Sequence, residues 1–406
     1  MKTLFLFSIL LAGFFVACSE DDDENLPVNP TPIELDLKSQ QLVEADNAFG
    51  LDVFQRLNAE EDGNFMVSPL SISQALAMTY NGAEGETKTA MEDALKVGGL
   101  TPDEINQSYQ TLVNALLKAD NRVTLDIAQS IWYRENFHVE PGFISTNQNY
   151  YDAEVRELDF GRSDALDIIN GWIETQTHDK IQDMIKRIDP NHVMFLINAI
   201  YFKGSWQSKF DVENTTQKPF YVDADKTINV DMMQKSDSVM YQQSELFAAI
   251  EMPYGRGNFN MVVLLPNSDK TIDDVAAELT AENWDNWMDS FYAVNDLNVQ
   301  LPKFKAEYEV KLNDVLSAMG MEVAFTPGAD FSGIDGSGDI WIDYVQHNTF
   351  IEVNEEGSEA AAATVVAMRE YAAMPVSFNA NRPFIYAITE KETGAILFIG
   401  KMIQPR

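Results

Sequence analysis

Residue types that support catalysis are scarce in this chain. Its only histidines are His138, His178, His192 and His347, and none of them lies at the spacing of a zinc site. There is no Gly-x-Ser-x-Gly turn, and Gly255-Arg256-Gly257 is too short for a nucleotide-binding loop, so we interpret it as a turn. The 64 acidic residues provide so many carboxylate pairs that pairing alone indicates nothing. We therefore predict no enzyme, no metal site and no cofactor.

The most informative stretch is a run of small side chains near the C-terminus, Glu355-Glu356-Gly357-Ser358-Glu359-Ala360-Ala361-Ala362-Ala363-Thr364. It directly follows a strand-like segment. Gly357 tolerates backbone angles that other residues adopt only at a cost, so it can act as a pivot, and alanines carry little bulk to obstruct entry between two strands. Alanine is also the best helix former, so a surface helix over residues 360–368 with Ser358 as its cap is the alternative.

Alternation within the same stretch favours a strand. Every second residue from Ser358 to Met368 is small or apolar, whereas the charged Glu359 and Arg369 fall on the other face. The β-branched residues at 364–366 also prefer strands to helices. A segment with this pattern can enter a sheet as a central strand, with its apolar face inward and its charges outward.

The elements around this stretch follow a helix-first, sheet-later order. Leu42, Phe49, Val53 and Leu57 recur at helical spacing, and further helices are predicted at 71–80 and 164–177. Strands are predicted at 122–133, 193–202, 259–265 and 384–399, the last with a hairpin turn at 391–394. No repeat is visible and no linker interrupts the chain after residue 40, so we predict one interwoven α+β domain.

Five further motifs occur in order along the chain. They are Ser68-Pro69-Leu70-Ser71-Ile72 with Asn81-Gly82-Ala83 and Thr87 after it, and the stretches at 198–206, 301–304, 325–333 and 381–384. In order and spacing they closely resemble the serpin family, although Ser358 stands where Thr is common and Asn348 where many members have Lys. The resemblance implies the serpin fold, a single α+β domain with three β-sheets, about eight or nine helices and an exposed reactive loop, here about residues 357–376.

The resemblance also implies roles for residues around that loop. The hinge matches Glu355, Glu356, Gly357, Ser358, Ala360, Ala361, Ala362 and Ala363. The polar shutter cluster that lets the main sheet part matches Ser68, Ser71, Asn198 and His347, and the breach at the top of the sheet matches Trp206 and the ion pair of Lys303 with Glu355. Taken singly, such residues are more often satisfied core polar groups, a core aromatic and solvated charges.

The bond that a protease would cut follows from the same resemblance. In serpins the cut normally falls fourteen residues after the hinge glycine, which here gives Tyr371 with Ala372 behind it. Tyrosine suits the deep apolar pocket of chymotrypsin-like proteases, whereas Ala372 and Ala373 would suit elastase or subtilisin types if the register slips. Arg369 offers trypsin a cut two residues earlier. The alternative is a loop without a dedicated target.

The N-terminus has the features of a lipoprotein signal peptide over residues 1–17. Lys2 supplies the positive start, and the apolar run at 4–16 is too short to span a bilayer as a permanent helix. Cys18, the only cysteine, stands where bacterial lipoproteins carry their lipid-modified cysteine, and residues 15–18 resemble a lipobox with an unusual Phe15. An ordinary secreted protein with an idle cysteine is the alternative. A single cysteine also excludes an internal disulfide.

Residues 18–38 form an acidic, proline-containing tether ahead of the domain at 39–406. The acidic run at 19–24 cannot bury itself and predicts a flexible, self-repelling linker. Such a cluster behind a lipidated cysteine resembles signals that send lipoproteins to the outer face of the outer membrane in Gram-negative bacteria. A plain solvated linker explains the cluster equally well.

Composition limits the partners. The formal net charge of −36 argues against nucleic acid, heparin-like polyanions and anionic lipid as partners, so we expect the protein to reach the membrane through the lipid anchor alone.

We expect a monomer that inhibits serine or cysteine proteases as a suicide substrate, the cut loop inserting into the sheet. A non-inhibitory serpin acting as a binding module would share every motif except a smooth hinge. A surface-binding lipoprotein of unrelated chemistry would require the five motifs to be accidental.

Overall fold

The computed structural model describes residues 30, 32–358 and 377–405. These ranges contain ten α-helices, eight of which have six residues or more: α1 (Leu37–Glu60), α2 (Pro69–Tyr80), α3 (Gly85–Ala94), α4 (Pro102–Ala119), α5 (Pro141–Tyr151), α6 (Ala165–Gln176), α7 (Ile272–Ala277), α8 (Ala281–Asp289), α9 (Asn313–Leu316) and α10 (Ser332–Asp335).

Fifteen strands lie in the same ranges. In chain order they are β1 (Phe65–Val67), β2 (Val123–Arg134), β3 (Glu154–Leu158), β4 (Met194–Ser205), β5 (Thr216–Tyr221), β6 (Thr227–Gln243), β7 (Phe247–Pro253), β8 (Phe259–Pro266), β9 (Tyr292–Pro302), β10 (Phe304–Lys311), β11 (Gln346–Asn354), β12 (Gly357–Ser358), β13 (Ser377–Asn379), β14 (Phe384–Glu390) and β15 (Ile396–Met402).

Local sequence signals set several helix starts. Ser68 caps α2, because its side chain accepts a hydrogen bond from the backbone N–H of Ser71 at 3.2 Å, and Pro69 follows in the first turn. In α4, Thr101 and Glu104 satisfy each other's backbone N–H groups as a capping box. These caps fix where each helix begins, and α2 therefore starts directly after β1.

The main sheet has six strands in the order β10-β11-β12-β4-β2-β3. β4 and β2 are long and pair antiparallel, with Asn198 opposite Gln129. β12 is antiparallel to both β11 and β4, so β11 and β4 run in the same direction on either side of it.

A second sheet has nine strands in the order β1-β15-β14-β8-β7-β6-β9-β13, with β5 also paired to β6. The 17 residues of β6 run through both parts of this sheet, because β6 pairs with β5 and β9 along most of its length and with β7 only at its end. Two of the three predicted sheets are therefore joined through β6 into this one nine-stranded sheet.

Helices cover both faces of the main sheet. On one face α2 lies behind β4, where the side-chain amide of Asn198 donates to Gln74 Oε1 at 2.9 Å. On the other face α6 packs on β2 and β4 through a separate apolar cluster that includes Ile169, Ile173 and Ile197. The main sheet is therefore the middle layer, and any strand entering it must fit between α2 and α6.

The predicted elements are confirmed with small shifts in their ends. The helices at 71–80 and 164–177 are α2 and α6, and the strands at 122–133, 193–202 and 259–265 are β2, β4 and β8. The hairpin of β14 and β15 closes with a bond from the Gly394 N–H to the Glu390 carbonyl at 2.9 Å. The stretch at 255–257 is the predicted turn between β7 and β8.

Candidate functional site where the main sheet opens

The first two residues of the small-residue run form a strand of the main sheet. In β12, Gly357 pairs with Asn354 of β11 and with Ser205 of β4, and Ser358 pairs with Val353 and Gly204. The pairing partners are the last residues of β4 and β11, so the segment enters the sheet from the end where these two strands finish.

Position 357 requires glycine for two reasons: its backbone conformation, and the short distance between its backbone and β4. Its φ is +147°, in the region that favours glycine. A Cβ atom at this position would overlap the carbonyl oxygen of Gly204 and lie 2.7 Å from Ser205 Cα. Any side chain at 357 would therefore push β12 away from β4.

Ser358 contacts an aromatic stack beside the sheet. Its side chain is 2% exposed, and its Oγ lies 2.8 Å from the hydroxyl oxygen of Tyr254. Tyr254 stacks on Trp206 with ring centroids 4.4 Å apart, and Trp206 Nε1 donates to the Asn354 carbonyl at 2.9 Å. Burial raises the pKa of Tyr254, so its hydroxyl stays protonated. The stack thus holds both β12 and the end of β11.

Two acidic residues before Gly357 are paired with lysines. Lys303 Nζ lies 3.0 Å from Glu355 Oε2, and Thr215 donates to Glu355 Oε1 at 2.8 Å. Burial raises the pKa of Glu355, but the hydrogen bonds from Lys303 and Thr215 outweigh burial and leave that pKa below its ordinary value. Glu356 forms an ion pair with Lys209. Lys303, Thr215 and Lys209 therefore hold the turn between β11 and β12 in place through these two side chains.

A second polar cluster lies between α2 and the first half of β4 and β11. The backbone N–H of Ser68 donates to His347 Nε2 at 3.0 Å, so the proton of the neutral ring belongs on Nδ1. Burial lowers the pKa of His347 to about 3, which keeps the ring neutral. On β4, Asn198 bonds to Gln74 through its amide nitrogen, while Asn198 Oδ1 is buried without a described partner.

Beyond Ser358, no described strand lies between β4 and β11. Within the residues described, β4 pairs only with β2 and β12, and β11 only with β10 and β12. A cavity of about 510 Å³ lies farther along, from Asn198 of β4 and His347 of β11 toward the start of both strands, and its lining includes residues of α2, 194–198 and 339–347. His192 and Asp343 lie across its far end, 3.1 Å apart. The cavity therefore lies in line with β12, between the same two strands.

Comparison with known proteins identifies the family and the fold. The family model described as Serpin (serine protease inhibitor) matches residues 44–405. The chain belongs to the serpin family. It is 35% identical over 380 residues to the leukocyte elastase inhibitor of Bos taurus, across 90% of this chain and 100% of that one. An uncharacterized serpin-like protein of Methanosarcina acetivorans is 34% identical across 100% of this chain and 98% of its own.

Solved serpin structures superpose on nearly the whole domain. Tengpin, a thermophilic serpin in the native state, has a TM-score of 0.82 at 30% identity over 92% of this chain and 96% of its own. Human thyroxine-binding globulin complexed with thyroxine also scores 0.82, at 26% identity over 91% of this chain and 99% of its own. The predicted serpin resemblance and single-domain α+β fold are thereby confirmed.

The predicted site residues of this serpin divide into three groups. The structure brings Glu355, Glu356, Gly357, Ser358, Trp206 and Lys303 together at the entry to the sheet. Ser68, Ser71, Asn198 and His347 lie together beneath its middle. Ala360, Ala361, Ala362, Ala363, Arg369, Tyr371, Ala372, Ala373 and Cys18 fall outside the described residues.

Sequence reasoning missed three polar partners in this serpin. Tyr254, Thr215 and Gln74 contact predicted site residues but lie far from them in the chain. The one available signal was Gln74, a polar residue in the middle of the apolar run at 71–80. Nothing near Tyr254 or Thr215 in the sequence marks either residue as a partner of the hinge.

The described part of this serpin has neither a candidate metal site nor a candidate membrane-spanning helix. No group of three or more His, Cys, Asp or Glu side chains there could hold a metal ion. No helix in the same ranges is both long enough and apolar enough to cross a membrane.

Proposed function

We propose that this serpin inhibits serine or cysteine endopeptidases as a suicide substrate. A protease attacks the loop after Ser358 and forms an acyl-enzyme. The cut loop then continues β12 into the opening between β4 and β11. Insertion carries the attached protease across the molecule and distorts it before water frees it. Loop insertion in serpins is a known case of strand addition that releases stored strain.

The open main sheet is the observation that carries this proposal. β12 already lies between β4 and β11, and beyond it neither strand has a described partner on the edge that faces the other. A cavity of about 510 Å³ lies between the far parts of the two strands, from Asn198 and His347 onward. Unpaired backbone groups on two facing edges are a template for one more strand. An inserted strand would pair with both edges, so its backbone would form a ladder on each side.

The register of β12 indicates which loop residue would reach the shutter. Continued residue by residue from the Ser358 pairs, the antiparallel register brings Thr364 between Asn198 of β4 and His347 of β11. Asn198 Oδ1 is a buried acceptor without a described partner, and Thr364 carries a hydroxyl donor. Insertion would therefore give a hydrogen bond to an oxygen that has no partner among the described residues.

The side-chain pattern of the loop agrees with this register. Ser358 is buried against Tyr254, on the face of the sheet that carries Asn198 and contacts α2. Residues 360, 362 and 364 share that face in a continued strand, and they are small or β-branched. The outer face would take Glu359 and Arg369. No charged side chain would have to be buried on this face before residue 370.

Tyr371 and Ala372 remain the proposed scissile pair, which makes chymotrypsin-like proteases the first targets to test. Elastase and subtilisin types cutting at Ala372 or Ala373, and trypsin cutting after Arg369, are the alternatives. The test is to mix the purified protein with chymotrypsin, elastase, subtilisin and trypsin and to look for a complex that survives boiling in detergent. Cleavage of the loop by all four without any such complex would contradict inhibition.

A non-inhibitory binding function is the second candidate. It is favoured by the structural similarity to human thyroxine-binding globulin, which was solved with thyroxine bound. Such a protein would yield cleaved product without a covalent complex in the same assay. The small side chains at 360–363 count against it, because they favour rapid insertion.

For location, we propose a lipid anchor at Cys18 and display on the outer membrane surface of a Gram-negative bacterium. The support is the signal-like run ahead of Cys18 and the acidic tether after it. Radiolabelled palmitate should enter the wild-type protein and not the Cys18→Ala variant. Protease accessibility on intact cells then tests whether the anchored domain faces the exterior.

A further inference from the structure

Packing against three neighbours fixes the ring of Tyr254. This residue directly follows β7, and its ring stacks on Trp206 at 4.4 Å and meets the ring of Phe202 edge-on at 5.1 Å between centroids. The backbone of Gly204 lies against the same ring, because a Cβ atom there would be 2.9 Å from Tyr254 Cδ1. Tyr254 is fully buried. The position of its hydroxyl is therefore set by packing and does not depend on the hinge.

The hydroxyl of Tyr254 binds one residue of β12. Within the described ranges its hydrogen-bond partner is the Oγ of Ser358, 2.8 Å away. Both side chains are buried, so separating them without admitting water would leave each polar group unpaired, at a cost in free energy. The bond therefore holds Ser358 in the sheet of the intact chain, between Gly204 of β4 and Val353 of β11.

The same bond distinguishes Ser358 from the inner-face residues that follow it. Ala360 and Ala362 share its face in a continued strand. A shift of the strand by two residues would keep a small side chain at these positions, so the alanines alone specify the register weakly. With Ala360 in place of Ser358, the buried hydroxyl of Tyr254 would lose its partner. Tyr254 thereby favours the register that starts at Ser358, and the position that only Gly357 fits acts in the same direction.

We infer that Tyr254 is a positioning residue for loop insertion, because it holds Ser358 as the first ordered residue of the strand that the cut loop extends. This role rests on the proposed insertion of the loop between β4 and β11. Ordering the first residues of a strand costs conformational entropy before later residues gain their partners. Gly357 and Ser358 are already paired in the sheet, so their ordering is not part of the insertion step. A faster start of insertion leaves the acyl-enzyme less time to hydrolyse.

The experiment compares variants of the full chain in their reaction with chymotrypsin. The ratio of detergent-stable complex to cleaved product reports the rate of insertion relative to deacylation, which is a step of the protease. Tyr254→Phe removes the hydroxyl and keeps the ring, and it should lower this ratio by about tenfold. Ser358→Ala should lower it to a similar extent. The double variant should lie closer to the wild type than either single variant, because neither partner is left buried and unpaired.

The matched control is Tyr151→Phe. Tyr151 is also buried, and its hydroxyl donates to Asn106 Oδ1 at the same distance of 2.8 Å, but it lies on α5, against α4. This variant loses an equivalent hydrogen bond far from β12 in the fold, so its ratio should equal that of the wild type. A fall as large as that of Tyr254→Phe would show general destabilisation and overturn the inference.

Hydrogen exchange of the intact protein tests the contact without any protease. Peptides that contain residues 357 and 358 should exchange faster in Tyr254→Phe and at the wild-type rate in Tyr151→Phe. If exchange responds in this way but the wild type traps no protease, the proposed inhibition fails while the contact is confirmed. The rate at which nicked protein becomes heat-stable then replaces the ratio as the measure of insertion, and it should be slower in Tyr254→Phe.

Three outcomes overturn the inference. The first is unchanged exchange in Tyr254→Phe, and the second is an unchanged rate of insertion. The third is a higher ratio of complex to cleaved product in Tyr254→Phe, which would show that the ordered start of the strand delays insertion. A wild type that gains no heat stability after nicking would overturn both this inference and the proposed function.

Discussion

Replacing Ser358 with arginine is the most direct perturbation of the proposed mechanism. Ser358 is 2% exposed and lies between Gly204 and Val353, with its Oγ 2.8 Å from the Tyr254 hydroxyl. An arginine there must either bury its guanidinium or push the start of the strand out of the sheet. Glu355, a nearby carboxylate, is already paired with Lys303. The new charge would thus have no free described partner in the turn before it.

The size of the effect follows from this environment. An unpaired buried ion costs several kcal/mol, and the lost contact with Tyr254 adds about 1 kcal/mol. Ser358 already lies in the sheet before cleavage, so the arginine is expected to displace the start of β12, and insertion must then bury the charge. If about 3 kcal/mol of that cost falls on the insertion barrier, insertion slows by roughly a hundredfold, since each 1.4 kcal/mol changes a rate by about tenfold. The loop beyond residue 365 keeps its sequence, so the protease still cuts. Deacylation then outruns insertion, and the inhibitor becomes a substrate.

The assay is the ratio of detergent-stable complex to cleaved product at equal protease. The wild type should give mostly complex and Ser358→Arg mostly cleaved product, with cleavage at the same bond. Ser358→Thr keeps the hydroxyl and serves as the matched control, and Glu359→Ala alters the outer face; both should inhibit almost normally. Undiminished complex formation by Ser358→Arg would refute insertion of this segment as the mechanism.

Four further outcomes are expected. The C-terminal peptide released from a chymotrypsin complex should begin at Ala372 by mass spectrometry, and a start only at residue 370 would contradict Tyr371 as the cut site. Nicking the loop with a protease that is not trapped should raise the melting temperature strongly, because the inserted strand adds a ladder of hydrogen bonds on each side; an unchanged value would favour the non-inhibitory candidate. His347 has its pKa lowered to about 3 by burial, so the unfolded state binds its proton first and the free energy of unfolding should fall as pH drops from about 6.5 toward 3. The His347→Gln variant should lack this part of the slope in urea titrations at several pH values. Burial raises the pKa of Asp46 to about 7, although the Tyr109 hydroxyl donates a hydrogen bond to it. The unfolded state therefore loses this proton first, and the free energy of unfolding should fall as pH rises from about 4 to 7. Asp46→Asn should be more stable than the wild type at pH 8 by a few kcal/mol, and equal stability would contradict a buried, protonated Asp46.

Much of the fold was predictable because its signals are local. The cap at Ser68 with Pro69 behind it marks the start of α2, and the apolar runs that became β4 and β8 are visible in short windows. The order of the family motifs then gave the arrangement of these elements. The division into sheets was less accessible, since β6 runs through two of the predicted sheets and only pairing partners reveal this.

The candidate site was predictable in part. The small side chains around Gly357 indicated a mobile hinge, but its contact with β4 adds a second reason for glycine that conformational freedom alone did not suggest. Trp206 and Lys303 were assigned through the family resemblance, whereas Tyr254 and Thr215 were not.

The sequence alone was enough to recognise the family and the scarcity of groups for catalysis, and it predicts an inner and an outer face for the hinge segment, because each of these depends on residue type and short spacing. The tertiary structure decided which distant groups meet. Ser358 and Tyr254 are 104 residues apart in the chain yet share a hydrogen bond, and Asn198 Oδ1 is buried without a partner among the described residues. Periodicity reports which face of one element is buried, but it carries no information about which other element covers that face.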